Sequence, residues 1–98
     1  MCEFLMEIGF VFKDGEKGKR IVGGVNSKYS CENLEWLNFK EKNVMIKTKK
    51  GYIHLKVKRI DIFPSITGAL NLGLTLYDDE KFDLLNIGDK VYKCKSAI

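Results

Sequence analysis

The sequence predicts an all-β fold: a small six-stranded antiparallel β-barrel with one or two short helical turns. Three observations predict it. Apolar residues recur with a period of two through most of the chain. Turns rich in Gly and Asp divide that pattern into short runs with short connections. The 98 residues make one domain, 1–98, and a chain of this size gains from closing a sheet on itself, because closure hides the edges.

The elements follow in order. Residues 4–12 read as a strand with Phe4, Met6, Ile8, Phe10 and Phe12 on one side. Lys13-Asp14-Gly15-Glu16-Lys17-Gly18 is a charged turn, and residues 19–25 form the second strand. Gly23-Gly24 within it signals a bulge or a close backbone approach. Residues 26–39 read as a short helical turn capped by Ser30, or else as a strand or plug built on Trp36-Leu37-Asn38-Phe39. Residues 43–49 form a third strand, Lys50-Gly51 a tight turn, and residues 52–63 a long fourth strand. Ile53, Leu55 and Val57 share one face of that strand, whereas Ile60 and Ile62 fall in the opposite phase. This places a β-bulge near Lys58-Arg59. Pro64 ends the strand. Residues 69–77 form the fifth strand with Leu70, Leu72, Leu74 and Leu76 in register. Asp78-Asp79-Glu80-Lys81 begins a short turn towards Phe82, and Gly88-Asp89 turns into a last strand at 90–94.

Composition narrows the functional classes. The three cysteines, at 2, 31 and 94, are odd in number and widely spaced, with no CxxC pair. They are expected to be thiols in a reducing compartment, Cys2 frayed and Cys94 near the core. No metal site is expected, since His54 is the one histidine and no cysteine pair has ligand spacing. The N-terminal run lacks a basic segment and is interrupted by Glu3 and Glu7, unlike a signal peptide. No apolar stretch nears the roughly 20 residues of a membrane span. A cytoplasmic protein without a membrane partner is expected.

His54 stands alone between lysines with no orienting partner, so no catalytic residue is assigned and a non-enzymatic binding module is expected. Asp78, Asp79, Glu80 and Asp83 lack the Gly and the terminal Glu of a calcium loop. The net charge of +4 is concentrated: residues 13–59 hold thirteen Lys and Arg against five Asp and Glu. Lys47, Lys49, Lys50, Tyr52, His54, Lys56 and Lys58 flank one hairpin, with Arg59 at the inferred bulge. In an antiparallel pair, outward positions on both strands share a face. Cations beside aromatics suit phosphates and exposed bases, which makes this face a candidate nucleic-acid site. Its competing reading is lysine protecting a sheet edge. Tyr29, Trp36, Leu37 and Phe39 are a candidate protein interface on the 26–39 segment.

The second half reads Val57-Lys58-Arg59-Ile60-Asp61-Ile62-Phe63, then Asn71-Leu72-Gly73-Leu74-Thr75-Leu76, then Ile87-Gly88-Asp89-Lys90-Val91. This order resembles domain II of the translational GTPases, typified by elongation factor Tu, with its V-x-x-I-E-M-F, N-V-G-L-x-L and I-x-x-G-D-V-L runs. Residues 4–12 resemble that family's opening strand, and Gly18 through Val25 its next turn and strand. The likeness spans residues 4–94. It departs where the family carries x-G-x-x-V and this chain reads Lys40-Glu41-Lys42-Asn43-Val44, and also in the longer 26–39 segment and the shorter loop after Phe63. The resemblance implies a barrel in contact with rRNA, tRNA or a translation-related protein, or an adaptor or mimic of such a barrel. No GxxxxGK[ST] loop and no NKxD motif occurs, so neither GTP nor any other cofactor is expected.

Overall fold

The computed structural model describes residues 2–13, 19–29, 35–64, 69–77 and 79–94. Their order is β1 (Cys2–Phe12), β2 (Arg20–Val25), β3 (Asn43–Thr48), β4 (Gly51–Pro64), β5 (Leu70–Leu76), a 3-10 helix (Glu80–Leu84) and β6 (Lys90–Cys94). The six strands form a closed barrel in the order β1-β2-β5-β4-β3-β6, antiparallel throughout. The all-β barrel reading holds. The expected turn at 14–18, the Ser30 cap and Cys31 lie outside the described residues. At 35–39 the chain is turn and irregular backbone rather than helix. Among the described residues, the one helical turn follows β5. Asp79 caps it, accepting from the Lys81 amide at 2.9 Å, and it drives Phe82 fully into the core.

Alternation supplies the barrel interior. Ile21, Val44, Ile46, Leu55, Val57, Leu72, Leu74 and Val91 are buried in one cluster with Leu5, Met6 and Ile8. Each such side chain contributes roughly 1.5–3 kcal/mol relative to exposure. Two strands are too long for one flat ladder, and bulges bend both. In β4 the register with β5 slips between Val57 and Arg59, where the phase change of Ile60 and Ile62 placed it. In β1 the register slips between Phe4 and Met6 against β6, and between Ile8 and Phe10 against β2. These two bulges overturn the expected inward row of β1. Leu5 and Met6 are both buried, and Phe10 and Phe12 emerge on the outside.

Gly23 makes the second of those bulges possible. A Cβ on Gly23 would collide with the Glu7 carbonyl and lie 3.1 Å from the Gly9 amide nitrogen. The close backbone approach read from Gly23-Gly24 is therefore real, and it sits opposite the bulge. The hairpin β3–β4 turns at Gly51 with φ 123, and Gly88 takes φ 96 before β6.

Cys2 and Cys94 correct the reading of the cysteines. They are direct cross-strand partners in β1 and β6, with Cα atoms 3.9 Å apart, and they are disulfide-bonded. Barrel closure brings the first and last strands side by side, a proximity that 92 residues of separation conceals. The cysteines thus give no argument for a reducing compartment.

Two predictions follow from this geometry. Gly23→Ala should lower stability by about 3 kcal/mol or more, because both contacts are backbone; an unchanged denaturant midpoint would contradict the close approach. Reducing the Cys2–Cys94 bond should lower stability by up to about 4 kcal/mol, since it opens a nearly chain-length loop. Equal midpoints with and without reductant would show that the bond does not stabilise the closure.

Candidate nucleic-acid interface

The β3–β4 register sets Asn43 against Lys56, Met45 against His54 and Lys47 against Tyr52. The β3–β6 register then sets Lys47 against Lys90 and Met45 against Tyr92, and β1 carries the second row on to Phe4. The outward surface of β4-β3-β6-β1 therefore has two adjacent rows. One reads Tyr52, Lys47, Lys90, Glu7; the other reads His54, Met45, Tyr92, Phe4. Tyr52 is 57% exposed, and Lys47, Lys90 and His54 are exposed. Phe4 and Tyr92 meet edge to face at 5.9 Å, with the Lys90 ammonium 5.9 Å from the Phe4 ring.

Lys49 and Lys50 occupy the exposed turn of the β3–β4 hairpin. Thr48 shapes it: its hydroxyl donates to the Gly51 carbonyl at 2.8 Å and accepts from the Lys50 amide at 3.2 Å. Lys49 and Lys50 line a cavity of about 200 Å³ with Asp83, Leu84 and Asn86, so one carboxylate faces them there.

Lys56 and Lys58 form a separate group. Their ammonium groups lie 5.3 and 5.9 Å from the centre of the Tyr77 ring. The Tyr77 hydroxyl donates to Glu41 at 2.7 Å, and Lys56 stands 4.0 Å from the same carboxylate. The hydrogen bond from Tyr77 to Glu41 raises the tyrosine pKa, with burial and the carboxylate charge adding to it. Arg59 leaves the lysines altogether. It pairs with Asp61 at 3.3 Å and shares a row with Thr75 and Arg20.

Of the hairpin residues singled out in the sequence, Lys47, Tyr52 and His54 therefore share one surface with Lys49 and Lys50 at its end. Lys56 and Lys58 are half committed to Tyr77 and Glu41, and Arg59 is on another side. Lys90, Tyr92 and Phe4 complete the surface. No local pattern marks them, because only the order β3-β6-β1 brings them there.

The candidate residues of the 26–39 segment pack against the core. Tyr29 and Phe39 are buried, and Trp36 and Leu37 are half-buried against the core. The Tyr29 ring meets the Trp36 ring at a tilt, centroids 4.9 Å apart, and its hydroxyl donates to Glu3 at 2.8 Å, while Lys28 stands 3.2 Å from the same Glu3 oxygen. The Lys93 ammonium lies 4.9 Å from the Tyr29 ring and donates to the Trp36 carbonyl at 3.3 Å. Tyr29 and Lys28 together hold the Glu3 carboxyl below its ordinary pKa. Burial, and then the hydrogen bond to Glu3, push Tyr29 up to about 12. Among the described residues no group of three His, Cys, Asp or Glu side chains comes together as a metal site.

Tyr29 has an alkaline signature. The folded chain keeps the Tyr29 proton up to about pH 12, whereas an unfolded tyrosine releases it near 10. Stability from this group is complete below pH 10 and declines as pH rises towards 12. Tyr29→Phe should make that decline shallower in denaturant midpoints followed against pH. An identical slope would contradict the buried, hydrogen-bonded phenol.

Comparison with known proteins finds no matching family model, no matching curated protein and no matching solved structure.

Proposed function

We propose that this barrel is a non-enzymatic module that contacts structured RNA, rRNA or tRNA, through the β4-β3-β6 surface. One observation carries the reading. Lys47 and Lys90 are directly opposed across β3 and β6, with Lys49 and Lys50 at the end of the same surface, and none of the four has an ion-pair partner among the described residues. Like charges directly opposed in a sheet repel. Glu7 lies beyond Lys90 in the row and offsets only part of that repulsion. A polyanion laid across the row relieves it, and displaced counterions add to the affinity. Tyr52 and Tyr92 offer ring faces and hydroxyls beside the cations, as an RNA surface with exposed bases requires.

The likeness to the barrel domain of translational GTPases supports the same reading. The bulge after Val57 and the close approach at Gly23 fall within the runs that carry the likeness. Glu41 occupies the place of the family's glycine before the third strand, and it adopts φ 65, the left-handed conformation a glycine takes most easily. Its carboxylate is held by Tyr77 and Lys56, which helps a non-glycine residue stay there.

Filter binding against tRNA and ribosomes tests the proposal. Affinity should fall steeply with salt. The variant Lys47→Glu, Lys49→Glu, Lys50→Glu, Lys90→Glu should lose binding, and neutral replacements should reduce the salt slope by roughly one per lysine. Lys56→Glu with Lys58→Glu should weaken binding less, because these lysines already serve Tyr77 and Glu41. Unchanged affinity in the quadruple variant, or affinity indifferent to salt, would overturn it.

A further inference from the structure

The far side of the barrel has a different character. Phe10, Phe12 and Phe63 are 62%, 45% and 40% exposed on the outward surface of β1, β2, β5 and β4. The β1–β2 and β2–β5 registers set Phe10 beside Val22 and Gly73, and Phe12 beside Arg20 and Thr75. Phe63 lies across Gly73: a Cβ there would come within 2.9 Å of its ring. Phe10 and Phe12 are nearly parallel, with centroids 6.3 Å apart. The Arg20 guanidinium sits between Phe12 and Phe63, at 5.5 and 5.7 Å from their centres. Its Nε is buried without a hydrogen-bond partner, and no carboxylate pairs with it among the described residues.

We propose that this surface docks a protein segment that presents an apolar or aromatic side chain next to a carboxylate. The rings supply an apolar floor, flattened where Gly73 has no side chain, and Arg20 supplies the uncompensated charge that a carboxylate neutralises. Exposed aromatics gathered around an arginine are what protein interfaces concentrate. Three exposed rings gathered at a single guanidinium, rather than a run of cations, favour protein over nucleic acid, since the second guanidinium nearby, Arg59, is tied to Asp61. A second copy of this chain fits less well. Among the described residues, the carboxylates its same face would bring are Asp61, already held, and Glu7, which faces Lys90 in register. This inference is independent of the RNA surface, since Phe10, Phe12, Arg20 and Phe63 all lie outside it.

The test is an NMR titration of the isotope-labelled protein with a short synthetic peptide alternating aspartate with leucine and phenylalanine. Saturable shifts should gather at the amides of Phe10, Phe12, Arg20, Val22 and Phe63. The same peptide with lysine in place of aspartate should leave them unmoved. Phe10→Ser and Arg20→Gln should each weaken the interaction by roughly tenfold, at an unfolding midpoint close to that of the parent. Arg20→Glu should reverse the preference and favour the lysine peptide. Equal response to both peptides, shifts confined to the Lys47 side, or stronger shifts of these amides with single-stranded oligouridylate would overturn the proposal. So would sedimentation as a dimer that Phe10→Ser dissolves, without peptide binding.

Discussion

The structure depends on one strand being gripped from both sides. β6 lies between β1 and β3, and without it the sheet has two open edges instead of none. Val91 pairs with Met6 on one flank and with Ile46 on the other, and all three are buried. The approach to β6 is tied to β1 as well: the Gly88 amide donates to the Ile8 carbonyl at 2.8 Å, and the Ile8 amide donates to the Asp89 carbonyl at 2.9 Å. Asp89 is buried and accepts from the Asn86 amide, which fixes the turn that aims the strand. Cys94, at the far end of the strand, bonds to Cys2. The same closure decides the surface chemistry, because it sets Lys90 between Lys47 and Glu7.

The second constraint is curvature. β1 and β4 are long enough to serve both sides of the barrel, and each bends at bulges. A bulge also changes which side chains face out. In β4 it separates Lys56 and Lys58, which gather around Tyr77, from Arg59, which pairs with Asp61. In β1 it turns Phe10 and Phe12 outward after Ile8 has pointed in. One device thus bends the sheet and divides the exterior into a lysine side and a phenylalanine side. Gly23 is where β1 and β2 come closest, and any side chain there meets backbone on the facing strand.

Much of this was legible in the chain. The strands lie within a residue or two of where alternation and turns place them, because each half-buried strand must alternate and each reversal needs Gly or Asp. The β4 bulge was legible because Lys56, Lys58 and Arg59 are polar, so the change of phase at Ile60 stands out. The β1 bulges were not, because Phe4-Leu5-Met6 and Phe10-Val11-Phe12 are apolar in both phases and alternation there carries no information. The hairpin lysines were legible since their partners are local in sequence. Lys90, the Cys2–Cys94 bond and the Arg20 cluster were not, since each depends on strand order across the closed sheet.

The most direct test of closure is a set of interstrand NOEs in solution. A closed barrel gives cross-peaks between β3 and β6 at Met45–Tyr92 and Lys47–Lys90, together with β1–β6 cross-peaks at Phe4–Tyr92 and slow exchange of the Ile8 amide. Absence of the β3–β6 peaks while the β3–β4 peaks persist would contradict it. The sheet would then be open, and the cations of the lysine side would not form one surface.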